Sequence, residues 1–123
     1  MNASDYDTRF GGVVRLYGRR PAARIRAMRV CVIGMGGVGS WAVEALARTG
    51  VEALTLIDYD TICPTNMNRQ VHALDASVGQ KKIAAMAQRV QQINPGCRCT
   101  LVDDFISDRN LFDYLPPDQP FDY

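Results

Sequence analysis

Between Thr8 and Val43 the sequence has no acidic residue, although Arg9, Arg15, Arg19, Arg20, Arg24, Arg26 and Arg29 all fall in that stretch. From Leu101 onward the balance reverses, with Asp103, Asp104, Asp108, Asp113, Asp118 and Asp122 set against Arg109 alone. The net charge of +1 hides this asymmetry. An acid-free arginine run is either a solvated helical face or a surface for polyphosphate or RNA, where binding is electrostatic and salt-dependent. Histidine and tryptophan occur once each, as His72 and Trp41. The few cysteines (Cys31, Cys63, Cys97 and Cys99) lack the two paired spacings of a zinc site. No metal ligands are assigned from the sequence. The longest uncharged run, Val30 to Val43, has 14 residues and four glycines, too short and too glycine-rich to span a bilayer. Asp5 and Asp7 stand where a signal peptide would need an apolar stretch. These absences predict a soluble, cytoplasmic protein with no membrane partner. The 123 residues, 47% hydrophobic and 22% charged, suit one folded domain.

What is present alternates between helix and strand signals. Asp5–Tyr17 and Pro21–Met28 predict two helical segments, punctuated by Gly18 and Pro21. They form an N-terminal helical segment, 1–27, ahead of an α/β unit over 28–123. Arg29–Ile33 is a continuous apolar run, the pattern of a parallel strand buried on both faces. Val38–Thr49 predicts a helix with Val38, Trp41, Ala42, Ala45 and Leu46 on one stripe, stopped by Gly50. Ala53–Ile57 is a second strand, residues 59 to 78 a long polar connection, and Gln80–Asn94 a helix with Ile83, Met86, Val90 and Ile93 inward. Arg98–Val102 is a third strand and Asp108–Leu115 a short helix. The fold class is α/β: a Rossmann-like parallel sheet with flanking helices, preceded by N-terminal helices. Pro120–Tyr123 reads as a strand at its start, so the chain is expected to be cut short.

The chemistry concentrates at Gly34-Met-Gly-Gly-Val-Gly39, a G-x-G-x-x-G loop between strand and helix. Its first glycine permits the tight turn, Gly36 lets a phosphate approach the backbone, and Gly39 lets helix and strand pack closely. The helix start offers free N–H groups and partial positive charge to an anion. Asp58 lies 19 residues past Gly39, at the tip of the next strand, where a carboxylate can accept from ribose hydroxyls. These features fit NAD and ATP alike. The extra glycine Gly37, the second acid Asp60, and the polar cluster Thr65-Asn-Met-Asn-Arg-Gln70 favour ATP. Hydride transfer has no use for such a cluster, whereas a departing pyrophosphate must have its charge neutralised.

Together, Gly34-x-Gly-Gly-x-Gly39-Ser40, Asp58-x-Asp60, Asn66-x-Asn-Arg-Gln70 and Val78-Gly-x-Lys-Lys82 resemble the ubiquitin-like-protein activating enzymes and their bacterial relatives ThiF and MoeB, which adenylate carboxylates with Mg-ATP. Further stretches, among them Arg9–Gly18, Gly39-Ser-Trp-Ala42, Arg69-Gln-Val-His-Ala-Leu74 and Gln92-Ile-Asn-Pro95, narrow the resemblance to a tRNA-modifying branch. That branch activates the threonyl carboxylate of a modified adenosine beside the anticodon, and ring closure follows with net loss of water. The resemblance implies that Gly34, Gly36, Gly37 and Gly39 contact the nucleotide and that Asp58 holds its ribose. Asn66, Arg69 and Lys82 would meet its phosphates, with Asp60, Asn68 and Gln70 completing the set; Arg69 and Lys82 would be the catalytic cations. It further implies a tRNA substrate, a homodimer, and a possible sulfur-transfer partner protein.

The chain departs from the family at two places. An arginine that reaches the partner subunit's ATP is replaced by Gly12, leaving Arg9 or Arg15 as substitutes. The magnesium-binding aspartate of the family lies on the strand after Tyr123, so this piece alone is expected to bind ATP weakly and catalyse little. Alternative readings are adenylation of a ubiquitin-like sulfur carrier, an NAD-dependent oxidoreductase, and an inactive interaction module. Single residues also have plainer readings. Asn66 and Asn68 are turn formers, Gln70 a loop brace, His72 structural, Trp41 a core residue, and Asp103-Asp104 a solvated loop.

Overall fold

The computed structural model describes residues 2–123, with only the backbone described at positions 3 and 4. Helices α1 (Ala3–Tyr17) and α2 (Arg19–Ala27) lead into strand β1 (Arg29–Ile33). Helix α3 (Gly39–Arg48), strand β2 (Ala53–Ile57), helix α4 (Lys82–Ile93), strand β3 (Arg98–Val102) and the short helix α5 (Leu111–Tyr114) follow. The connection between β2 and α4 is ordered by two 3₁₀ turns, Pro64–Asn66 and Asp75–Ser77. The strands form a parallel sheet in the order β1-β2-β3, with Arg29 opposite Ala53 and Ala53 opposite Arg98.

Helices α3 and α4 pack against each other and against the sheet. The core between them takes Val30, Leu54 and Leu56 from the strands, Val43 and Ala47 from α3, and Ile83, Met86 and Val90 from α4. Burial of these aliphatic side chains, each contributing about 1.5–3 kcal/mol, is the main force holding the layers together. The other face of β1 is covered less. Cys31 and Ile33 line a cavity of about 360 Å³ with Leu115, Pro116, Phe121 and Tyr123. Ile33 is 53% exposed, so β1 is not buried on both faces as its composition predicts. Asp122 and Tyr123 lie along the outer edge of β1, where Asp122 N–H donates to Arg29 O at 2.8 Å and Cys31 N–H to Tyr123 O at 3.0 Å.

The α3 stripe also differs from expectation. Ser40, Val43, Glu44 and Ala47 face inward, while Val38, Trp41 and Ala45 are exposed. The difference comes from Glu44, which a hydrophobicity pattern assigns to solvent. Its carboxylate takes bonds from Arg89 on α4 at 2.7 and 2.9 Å and from Arg48 at 2.8 Å, so a charge occupies the helix interface. Arg89 first, then Arg48, hold the Glu44 carboxyl below its ordinary value.

The arginine run lies at the amino end of the strands. Tyr6 donates its hydroxyl to Gly50 O at 2.7 Å, and Arg26 covers the Tyr6 ring at 3.8 Å while pairing with Glu52 at 3.1 Å. Arg9 pairs with Asp5 and donates to Ile93 O at the end of α4. Arg29 donates to Pro120 O. Among the described residues, Arg15, Arg19, Arg20 and Arg24 have no carboxylate within 4.0 Å.

Candidate nucleotide site

At the opposite end of the sheet the chain turns from β1 into α3. Gly34 makes the turn at φ +90°, a conformation that side chains resist, and its N–H donates to Ile57 O at 2.7 Å. The next residue, Met35, buries its side chain completely and has its backbone held on both sides. Its N–H donates to Asp58 Oδ2 at 2.7 Å, and its carbonyl lies 2.8 Å from His72 Nε2. A carbonyl only accepts, so the His72 proton sits on Nε2 and Nδ1 carries a lone pair. Burial first, and then the Lys82 charge, push His72 below the ordinary histidine value, so its ring is neutral.

Each glycine has its own surroundings. A Cβ on Gly39 would overlap the Gly34 carbonyl, so the close packing expected there is real. A Cβ on Gly36 would meet no atom within 4 Å; the absent side chain leaves open space before the loop. At Gly37 a Cβ would touch the Arg69 side chain, 3.4 Å from Cγ and 3.5 Å from Cδ. Ser40 fastens the loop from behind, with its hydroxyl donating to Gly36 O at 2.5 Å and accepting from Val71 N at 3.4 Å. No side chain caps the amino end of α3; Ser40 N–H donates to Gly36 O at 3.1 Å, and the partial positive charge of the helix start lies behind the loop.

The carboxylate Asp58 joins the loop to the long connection. Its second oxygen accepts from Asp60 N at 2.7 Å, and Asp60 O accepts from Lys82 N at 3.0 Å. Both Asp58 oxygens thus brace backbone, and each keeps a lone pair for a further donor. The side chain of Asp60 is exposed.

The two adjacent lysines differ sharply. Lys81 is exposed, donates to Tyr59 O at 2.7 Å and pairs with Asp103 at 3.1 Å. Lys82 is 7% exposed and has neither a carboxylate nor a hydrogen-bond acceptor for its ammonium among the described residues. Its stem is buried while the ammonium reaches solvent, a cation free to take an anion without breaking an ion pair. Lys82 is also close enough to His72 to depress its proton affinity, which ties the ammonium to the loop through the histidine bound to Met35.

The remaining polar cluster supports Arg69. Its guanidinium donates to Thr65 O at 3.2 Å and Asn68 Oδ1 at 3.0 Å, its stem lies over Gly37, and its carbonyl accepts from Trp41 Nε1 at 2.8 Å. Asn66 is buried and takes Cys63 N at 2.9 Å, closing the turn. Gln70 is buried with Oε1 unpartnered among the described residues. The glycines, Asp58, Asp60 and Lys82 therefore share one bonded network, with Arg69 lying over it. Asn66 and Gln70 sit within the connecting loop. Trp41 is 52% exposed, so the core reading of this residue is corrected. Sequence reasoning left out the holding roles of Met35 and Ser40 and the bond from His72; Ser40, directly after the last loop glycine, was the available signal. A cavity of about 710 Å³ runs along α4 past Arg48, His72 and Arg89 and includes none of the loop glycines. Among the described residues no three His, Cys, Asp or Glu side chains are grouped to hold a metal.

A strand–glycine loop–helix turn with a carboxylate at the next strand tip defines a nucleotide-binding α/β domain, and the chain belongs to the ThiF family, whose model matches residues 11–123. Within that family it is 55% identical over 107 residues to the tRNA threonylcarbamoyladenosine dehydratase of Escherichia coli K12, an alignment covering 87% of this chain and 40% of that protein. The Haemophilus influenzae enzyme of the same name is 52% identical, over 97% of this chain and 45% of its own length. The crystal structure of the Escherichia coli enzyme in complex with ATP superposes with a TM-score of 0.92 at 50% identity, covering 95% of this chain and 48% of that one. The chain thus spans less than half the length of the curated relatives it matches.

Proposed function

We propose that the protein to which this chain belongs uses ATP to activate the carboxylate of threonylcarbamoyladenosine in tRNA for dehydrative ring closure. The carboxylate oxygen attacks the α-phosphorus, the bond to the β-phosphate breaks, and pyrophosphate leaves with the charge. The acyl adenylate then closes on a nucleophile of its own side chain and expels AMP. Residues 28–123 form the nucleotide-binding part and 1–27 its helical lead.

In this reading the open space before Gly36 and the uncapped start of α3 receive phosphate oxygens, and Lys82 neutralises charge moving onto pyrophosphate. Arg69 presents a fixed fork to the same oxygens. The remaining lone pairs of Asp58 take the ribose hydroxyls. Magnesium would neutralise phosphate charge when bound; Asp58 and Asp60 carry carboxylates at this end of the sheet, and both Asp58 oxygens already brace backbone. No protein nucleophile is needed, because adenylation runs on positioning and electrostatics. A homodimer, a cytoplasmic setting and a sulfur-transfer partner belong to the same proposal.

The Lys82 ammonium, without a carboxylate among the described residues and close to His72 behind the glycine loop, together with the room for phosphate at Gly36, carries this reading. In the full-length protein, Arg69→Ala and Lys82→Ala are each expected to lower pyrophosphate release with threonylcarbamoylated tRNA by about 100-fold or more. Release unaffected by both changes would remove the assignment. Pyrophosphate exchange driven by a small sulfur-carrier protein rather than by tRNA would instead favour the alternative substrate.

A further inference from the structure

We propose that Trp41 is a stacking platform for a nucleobase in the single-stranded part of the RNA substrate, set directly beside the triphosphate cradle. The inference rests on the RNA reading above and adds a recognition site to it.

Gly37 lies in the turn before α3 and Trp41 in its first turn. One residue covers both, since the Arg69 stem lies on Gly37 while its carbonyl takes the indole N–H at 2.8 Å. That bond satisfies the only polar atom of the ring and fixes its orientation. What remains is an aromatic surface, 52% exposed and already ordered, with no polar group left to serve. The core claims no such side chain here, because α3 turns Ser40, Val43, Glu44 and Ala47 inward. The Arg69 residue that holds the indole also carries the positive charge beside it. An aromatic plate beside a cation matches a nucleobase followed by its phosphate. Unpaired bases are recognised by stacking on such side chains, each stacked base being worth about 1–3 kcal/mol, or roughly 5- to 150-fold in affinity. The position also suits the reaction. A base held on Trp41 is one side chain away from Arg69, so the attached carboxylate is delivered to the place where pyrophosphate departs.

The indole acts in two ways, through its ring and through its N–H on Arg69, and two substitutions separate them. Trp41→Phe and Trp41→Leu both lose the hydrogen bond, but only phenylalanine can still stack. The experiment titrates full-length protein with an anticodon stem-loop RNA carrying threonylcarbamoyladenosine, at fixed salt, and measures KM for ATP alongside. Trp41→Leu is expected to weaken RNA binding by at least about tenfold, with Trp41→Phe losing several-fold less and KM for ATP moving less than RNA affinity in both. RNA is also expected to quench the fluorescence component present in the wild type and missing from Trp41→Phe, a readout independent of how well Trp41→Leu folds. Equal losses in the two variants would overturn the proposal, because the indole would then act only through Arg69. Loss in neither, absence of quenching, or a changed oligomeric state in Trp41→Leu would do the same, the last by placing the ring in a protein interface. If wild-type protein itself fails to bind the modified RNA, the proposed function and this inference fall together. If it binds and turns over while the variants behave alike, only the inference does.

Discussion

The seam between α3 and α4 and the loop side of the sheet treat charge differently. In the seam Glu44 takes both Arg89 and Arg48. Arg26 has Glu52 and the Tyr6 ring, while Arg15, Arg19, Arg20 and Arg24 on the leading helices have no carboxylate within 4.0 Å among the described residues. On the loop side the Lys82 ammonium has no carboxylate, and Gln70 Oε1 and His72 Nδ1 are enclosed without a partner among the described residues, as is Asn94 Nδ2 at the other end of α4. One region is thus held by ion pairs, and the other keeps a cation free for what binds. Partnered charges fix helices in place, and an unpartnered one marks where an anion belongs.

The sharpest way to break this comparison is to remove the lone charge. Lys82→Met in full-length protein is expected to cut RNA-dependent pyrophosphate release by about 100- to 1,000-fold. The same change should leave the melting temperature of the protein without nucleotide little changed and abolish most of the rise given by ATP. A lower melting temperature without nucleotide would mean that Lys82 stabilises the fold and is no anion site. The next largest effect comes from the paired region. Glu44→Ala leaves Arg89 and Arg48 without their common carboxylate and opens the α3–α4 interface, at an expected cost of about 2–3 kcal/mol in denaturant unfolding. An unchanged midpoint would show that the Glu44 network adds nothing to stability.

Gly36→Ala probes the mouth of the cradle itself. The new methyl group has open space in this structure, so unfolding should change by no more than about 0.5 kcal/mol. The methyl stands where phosphate oxygens are expected, so KM for ATP should rise about tenfold. A variant that folds and keeps the wild-type KM would move the nucleotide away from Gly36.

Much of this was legible in the sequence because local rules agree with tertiary structure. Strands Arg29–Ile33, Ala53–Ile57 and Arg98–Val102 fall where their apolar runs lie, and Gly34 takes the positive φ its place in the motif requires. The motif spacing also brought Asp58 to the loop. What stayed hidden depended on partners distant in sequence. The inward face of α3 could not be read while Glu44 counted as a surface charge, because Arg89 lies 45 residues away. For the same reason Trp41 read as core: its indole partner is the carbonyl of Arg69, 28 residues on. Periodicity assigns faces by hydrophobicity, and here one buried ion pair outweighed it. Nor could spacing separate Lys81 from Lys82, whose burial and pairing differ only once Asp103 is in place.

The smallest effect tests whether His72 belongs to the paired or the unpaired region. Its ring is 2% exposed, donates from Nε2 to Met35 O, and faces Asp58 and the Lys82 ammonium. Burial, reinforced by Lys82, holds its folded proton affinity below the ordinary value of 6.5. Above pH 6.5 the ring is neutral in both folded and unfolded chains, and its contribution to stability is complete. As pH falls through 6.5 the unfolded chain takes up a proton that the folded chain refuses, so stability is lost toward the lower, folded value. Lowering the pH from 7 to 5.5 should therefore destabilise the wild-type protein more than His72→Gln, which cannot titrate, as read by denaturant unfolding. Glu44 has the same sign, but its loss begins only as pH falls through its ordinary value of 4.5, below this window. If both proteins lost equal stability across the interval, His72 would titrate alike in the folded and unfolded chains. The ring would then be open to water, and the brace on Met35 would be too loose to hold the glycine loop ready for phosphate.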